Sequence, residues 1–267
     1  MRPPAECLDS ATVAPALFHP RRQGGAPLDG PRAFDATIAA DDGTALGLRL
    51  FPAAAADAPL VLLFHGNGEI AGDYTALADL WTERDVALAV ADFRGYGLSG
   101  GSPSASTLQA DALAVWRGLS GVLKARGLAP SARVVMGRSL GSAAACAVAA
   151  HARPGPDGLI VESGFADTFA LVHRVGGRCP LDGLSEDTDG FGNPGLIGQV
   201  DVPTLVLHGA EDGIIPASEG RQLHAAAGAP DHRLMVIPGA GHNDLFAVAP
   251  EAYMDAVERL VRTAVTG

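Results

Sequence analysis

The sequence predicts an α/β fold, with a mostly parallel central sheet flanked by helices. Two observations carry this expectation. Short apolar runs recur at 60–64 (LVLLF), 86–91 (VALAVA), 133–136 (RVVM), 159–161 (LIV), 204–207 (TLVL) and 234–237 (LMVI). Their unbroken apolar character is that of strands buried on both faces. Between them lie helical patterns at 70–84, 105–126, 140–152, 216–227 and 250–264, and strand–helix alternation specifies a parallel sheet. A length of 267 residues fits one such domain.

The first 30 residues are rich in Pro and Gly and read as an irregular arm, leaving 31–267 as the single domain. Prolines and charges interrupt the start of the chain, so no signal peptide is expected. No stretch approaches 18 apolar residues, so no membrane span is expected. Residues 33–51, with Asp42-Gly43 at the turn, read as an antiparallel hairpin. After the sixth strand, 164–200 breaks the alternation and carries Phe165, Phe169 and Phe191 beside an acidic patch. Long irregular insertions in compact domains are either functional or disordered. The reading taken is a lid over a pocket, with Phe165 and Phe169 on the pocket wall; the alternative is a surface loop.

A formal charge of −11, with no basic cluster beyond Arg21-Arg22, excludes nucleic acid and anionic membrane surfaces as partners. It leaves small molecules. Cys7, Cys146 and Cys179 are spaced too widely for a disulfide framework or a zinc pattern. They read as the thiols of a reduced, cytoplasmic protein, with Cys146 a small buried side chain.

The chemistry concentrates in Gly137-Arg138-Ser139-Leu140-Gly141. Glycine on both sides of a serine suits a tight strand-to-helix turn, where flanking side chains would collide. A second copy of the pattern, Gly97-Leu98-Ser99-Gly100-Gly101, stands away from its strand, and Ser102-Pro103 follows it. Ser139 directly follows a predicted strand and precedes small helix formers, so it is the candidate nucleophile. The same loop spells Gly95-x-Gly97-x-x-Gly100, but no helix opens at the last glycine, which argues against a dinucleotide site.

A serine hydroxyl needs a base, and the base needs a partner that fixes its tautomer. Of eight histidines, His242 is best placed, in a Gly-rich loop after the strand at 234–237. His65 and His208 also end strands, but each precedes a glycine and reads as a loop-fixing hydrogen-bonding group. Asp212 is the favoured acid, with Glu211 beside it. The order Ser139, Asp212, His242 is that of a nucleophile elbow on an α/β sheet. The N–H groups of Asn67, in the Gly-flanked loop after 60–64, and of Leu140 are the candidate oxyanion donors. A P-loop reading of that glycine loop fails for want of its lysine and hydroxyl residue.

Five blocks in order, FHGNGE (64–69), DFRGYGLSGG (92–101), GRSLGS (137–142), HGAEDGIIP (208–216) and GAGHND (239–244), make the chain resemble the α/β-hydrolase superfamily. They are most similar to its serine-hydrolase branch of carboxylesterases and protein depalmitoylases. The resemblance implies an ester or thioester hydrolase working through an acyl-enzyme, with Ser139 as nucleophile, Asp212 as acid and His242 as base. It implies oxyanion donors at Asn67 and Leu140 and no metal or organic cofactor. Ser142 departs from the second glycine usual in that branch, and 171–198 matches nothing in it. A non-catalytic binding protein on the same scaffold, an acyltransferase and a peptidase stay as alternatives.

Overall fold

The computed structural model describes residues 4–179 and 183–266. Eight strands form one sheet: β1 (Phe34–Ala39), β2 (Ala45–Phe51), β3 (Leu60–Phe64), β4 (Ala87–Ala91), β5 (Arg133–Arg138), β6 (Gly158–Glu162), β7 (Thr204–Gly209) and β8 (His232–Ile237). Their order across the sheet is β1-β2-β4-β3-β5-β6-β7-β8. β1 and β2 form the antiparallel hairpin, turning at Gly43 with φ +83°, and β2 pairs antiparallel with β4. Every other pairing is parallel. Of the strands read as continuously apolar, β3, β4, β6 and β7 are buried at every residue, whereas β8, at the sheet edge, is only partly buried before Ile237. Because β3, β5, β6, β7 and β8 run the same way, the loops after them open at one rim, where ligands sit in open α/β sheets.

Helices cover both faces. Ala105–Ala125 and the small-residue helix Gly141–His151 pack in one core layer, and Pro250–Thr266 lies in the other. The expected helix at 70–84 is not continuous. It divides into a 3₁₀ stretch, Ala71–Ala76, and a single α-turn, Asp79–Thr82. Here tertiary contacts override the helical pattern. The Asp92 carboxylate accepts from Ala71 N–H at 2.8 Å, and Gln23 lies so close to Gly72 that any side chain there would meet it.

The N-terminal arm contains two single turns, Glu6–Asp9 and Ala14–Leu17, and buries Leu8, Val13, Leu17 and Phe18 in the core. Asp9 accepts from the N–H groups of Ala105 and Ser106 at 2.5 and 3.2 Å, capping the long helix from a distance. Within 164–200 the described residues form three short helices, Thr168–Arg174, Glu186–Asp189 and Asn193–Ile197. The part of the lid reading that falls on 180–182 lies outside the described residues.

The cysteine reading is corrected. Cys7 and Cys179 form a disulfide, with Cα atoms 5.8 Å apart across a separation of 172 residues, while Cys146 stays free and buried as expected. Spacing gave no sign of it, because the two meet only when the arm folds back onto the insertion. Persistent disulfides belong to oxidising compartments, so the cysteines no longer argue for a cytoplasmic setting. Among the described residues, no helix is long and apolar enough to cross a membrane. Reducing this bridge is expected to lower stability by about 2–4 kcal/mol, read as a drop in the urea midpoint of reductant-treated protein against untreated.

Candidate active site

Ser139 stands at the end of β5 with φ +51°, a left-handed conformation rare for a side chain larger than glycine. The flanking glycines explain how the turn closes. A Cβ at Gly137 would lie 2.3 Å from the carbonyl oxygen of Gly141, and one at Gly141 would lie 2.0 Å from that of Phe64. The backbone N–H of Ser139 donates to Glu162 O at 2.8 Å. Ser142, the departure from the expected second glycine, is fully buried, and its hydroxyl donates back to Ser139 O at 2.7 Å. Asn193 of the insertion donates to Ser142 Oγ at 3.3 Å and to Phe165 O at 2.9 Å, so the insertion braces the elbow.

Ser99 is a buried strut. It donates to Asp92 O at 2.8 Å and accepts from Gly47 N–H at 2.7 Å. Ser139 instead meets His242: Nε2 of the ring is 2.9 Å from Ser139 Oγ, and Nδ1 is 2.7 Å from Asp212 Oδ2. Each of the three is less than 10 % exposed. Asp212 Oδ1 accepts from the N–H groups of Ile214 and Ile215 at 2.9 and 2.7 Å. Burial works to raise its pKa. The hydrogen bonds from His208, His242 and the Ile215 backbone outweigh it and hold the carboxyl well below the usual range. Glu211, the other candidate acid, is exposed. His65 and His208 are loop-fixing groups: His65 Nδ1 donates to Gly66 O at 2.8 Å, and His208 Nε2 donates to Ile215 O at 2.8 Å.

Asn67 and Leu140 lie in the loop after β3 and just after the nucleophile, and neither N–H donates to another described residue. The Asn67 side chain is clamped. Its Oδ1 accepts from Tyr96 OH at 2.7 Å and from His19 N–H at 2.8 Å, and its Nδ2 lies 3.0 Å from His19 Nδ1. The DFRGYG block thus holds the loop after β3 through Tyr96. Gly97, with φ +44°, is required because a Cβ there would strike the Asp92 carboxylate. Phe165 and Phe169 are 0 % and 7 % exposed and pack in the core layer that holds the elbow helix. The structure gives them a packing place in that layer, not an open pocket wall.

Sequence reasoning passed over Arg138, the residue inside the elbow motif. The β5–β6 register sets it beside Glu162. Its Nε donates to Glu162 Oε1 at 3.1 Å, its Nη1 pairs with Glu69, and its Nη2 donates to His242 O at 3.0 Å and Asn243 Oδ1 at 2.8 Å. Glu69 in turn accepts from Gly66 N–H at 2.9 Å and from Tyr74 OH at 2.8 Å, while Glu162 accepts from Tyr253 OH at 2.5 Å. One guanidinium therefore ties the elbow, the loop after β3 and the histidine loop together. Burial works against its charge, and Glu162 and Glu69 outweigh that, so its pKa is raised. The signal was a charge embedded in an otherwise apolar strand end. Arg138→Met leaves two mostly buried carboxylates without their cation, and a stability loss of about 3–5 kcal/mol is expected. Urea unfolding measures it, with Arg138→Lys recovering part of the loss.

Comparison with known proteins decides the family. The family model described as serine aminopeptidase, S33, matches residues 55–173 and 196–247, well over half of the chain. The chain is an α/β hydrolase of this family. The hydrolase is 35 % identical over 244 residues to the uncharacterized protein Rv2307c of Mycobacterium tuberculosis H37Rv, a match covering 89 % of this chain and 82 % of the relative. It is 28 % identical over 214 residues to the uncharacterized protein YfhR of Escherichia coli K12, covering 78 % and 72 %. Among solved structures, the Pyrococcus furiosus esterase Pf2001 matches the hydrolase with a TM-score of 0.72 at 17 % identity, covering 92 % of this chain and 98 % of that one. A cold-adapted esterase from an Arctic intertidal metagenomic library matches with a TM-score of 0.63 at 17 % identity, covering 89 % and 98 %. At such identities the structural likeness speaks for the fold.

Proposed function

We propose that this hydrolase cleaves carboxylic esters or thioesters of small molecules through an acyl-enzyme. The observation that supports this reading is the His242 ring, bridging Ser139 Oγ and Asp212 Oδ2 with hydrogen-bond distances on both sides. Ser139 Oγ attacks the carbonyl carbon and gives its proton to His242 Nε2. Asp212 fixes the tautomer through Nδ1–H and stabilises the imidazolium. The negative oxygen of the tetrahedral intermediate rests on the N–H groups of Asn67 and Leu140. As the intermediate collapses, the leaving alcohol or thiol takes the proton from Nε2. Water, activated by the same ring, then releases the acid and restores Ser139.

Amide cleavage is the second reading, favoured by the serine aminopeptidase description of the family model. An aminopeptidase needs a free carboxylate near the nucleophile to receive a substrate ammonium group. Glu69 and Glu162, the carboxylates around Arg138, already accept from Arg138, Tyr74, Tyr253 and Gly66 and are not free for that role. A non-catalytic binding protein is expected to have lost a member of the Ser139, His242, Asp212 set.

A fluorophosphonate probe tests the proposal. The expected result is one covalent adduct per chain, located by mass spectrometry on the peptide holding Ser139. A chain left unlabelled at Ser139 refutes it. Matched p-nitrophenyl esters, thioesters and amino-acid anilides then rank the substrate classes, with esters or thioesters turned over faster than anilides.

A further inference from the structure

The N-terminal arm enters none of the steps above, yet it lies against the loop that carries Asn67. Both of its ends are fixed. Cys7 is bonded to Cys179, and Ala5 N–H donates to Asp189 O at 2.7 Å, so the start of the arm is tied to the insertion. At the other end, Arg21 O accepts from Gly97 N–H at 2.9 Å, and Gln23 N–H donates to Gly97 O at 3.1 Å. Between these anchors the buried side chains of Leu8, Val13, Leu17 and Phe18 hold the arm in the core. The arm and Cys179 both lie outside the residues matched by the family model, so this attachment belongs to this chain rather than to the shared hydrolase frame.

The geometry points to His19 as a positioning residue for the reaction: it fixes the loop at 66–69 so that the Asn67 N–H stays aimed at the substrate oxygen. The inference rests on the ester-hydrolase reading, which makes that N–H an oxyanion donor. Asn67 stands between Gly66 and Gly68, and Gly68 has φ +79°. Glycine on both sides gives the loop little stiffness of its own, and an oxyanion donor acts only if it is already in place when charge develops. The stiffness comes from the arm. Asn67 Oδ1 accepts from Tyr96 OH at 2.7 Å and from His19 N–H at 2.8 Å, which orients the amide and turns its Nδ2 toward His19 Nδ1, 3.0 Å away. An NH₂ group facing Nδ1 makes that nitrogen the acceptor, so the His19 ring carries its proton on Nε2. Two of the three hydrogen bonds on the Asn67 side chain therefore come from His19. Arg21 adds a fourth restraint on the same loop, its Nε donating to Gly68 O at 2.5 Å. His19 itself is exposed, so its ring is tied to the loop rather than to the core.

Substitution at His19 tests this, with one readout independent of turnover. His19→Ala is expected to lower kcat for a p-nitrophenyl ester by about 10–100-fold, less than or equal to the loss from a 1 Å misplacement, with kcat/KM falling by the same factor. The urea midpoint is expected to stay at the wild-type value, because the lost contact is on the surface. Affinity for a trifluoromethyl ketone, which places an oxyanion on Ser139, is expected to fall in parallel with kcat. His19→Asn is expected to recover most of the activity, since its Oδ1 takes the place of Nδ1 as acceptor. Hydrogen exchange followed by mass spectrometry is expected to show faster exchange at 66–69 in His19→Ala, where Gly66 N–H and Glu69 N–H close the turn in wild type. Wild-type kcat and wild-type exchange in His19→Ala overturn the inference. So does a loss of kcat that the ketone affinity does not share, or one that His19→Asn shows in full. Wild-type protein that takes no fluorophosphonate at Ser139 strikes the ester-hydrolase reading and the catalytic role of His19 with it. Faster exchange in His19→Ala then still upholds the clamp on the loop, so the two failures are told apart.

Discussion

Ser139→Ala is expected to lower kcat for a p-nitrophenyl ester by about 10⁴–10⁶-fold, with stability changed by less than about 1 kcal/mol. The asymmetry follows from what the hydroxyl touches. Ser139 Oγ is bonded to His242 Nε2. The bonds that hold the elbow use backbone atoms instead: Ser139 N–H to Glu162 O, and Ser142 N–H and Oγ to Ser139 O. Alanine keeps all of them and meets the same φ of +51°. His242→Ala added to this variant is expected to cost little more, because the two groups act as a unit. Esterase activity of pure Ser139→Ala protein within tenfold of wild type assigns the reaction to another group.

Asp212→Asn is expected to lower kcat by about 10⁴-fold, since an amide reverses the hydrogen-bond polarity at the ring. Every contact around the carboxylate is a donor: Ile214 N–H and Ile215 N–H on one oxygen, and His242 Nδ1 with the more distant His208 Nε2 at 3.4 Å on the other. If the amide turns its oxygen to the backbone pair, its NH₂ faces His242 Nδ1 and drives the ring proton to Nε2. The ring then has no lone pair for the proton of Ser139. If it turns the other way, NH₂ meets two N–H groups in a buried site. The pH dependence of stability follows from the lowered pKa of Asp212. A carboxyl depressed in the folded state stabilises the protein above its unfolded pKa of about 3.9. That contribution is lost as pH falls through the lower folded value. The stability gap between wild type and Asp212→Asn is therefore widest above about pH 4 and closes in acid, as urea midpoints across pH measure.

The parallel sheet was legible because unbroken apolar runs such as 60–64 and 204–207 have few other places to go than between two helical layers. The elbow was legible because Gly137 and Gly141 mark contacts that tolerate no Cβ. The meeting of Ser139, Asp212 and His242 followed from placing each at the C-terminal end of a parallel strand. What escaped depended on non-local contact. Nothing in 70–84 announces that Asp92 and Gln23 will interrupt a helix there. Phe165 and Phe169 are aromatic residues in an irregular segment, a pattern that serves a pocket or a core equally. Arg138 acquires its meaning only when Glu162 arrives from the neighbouring strand and Glu69 and Asn243 from two other loops. Cys7 and Cys179 carry no local mark of each other.

That bridge has a consequence during synthesis. A ribosome adding roughly 5–20 residues per second spends about 9–34 s between the first bridging cysteine and the second, 172 residues later. For the last 33 residues of that interval, from position 146 to position 179, Cys7 has an earlier suitor in Cys146. Thiol exchange proceeds through the thiolate, and once the elbow helix has packed, burial pushes the Cys146 thiol up to about 12. Docking of that helix thus withdraws the wrong sulfur from competition.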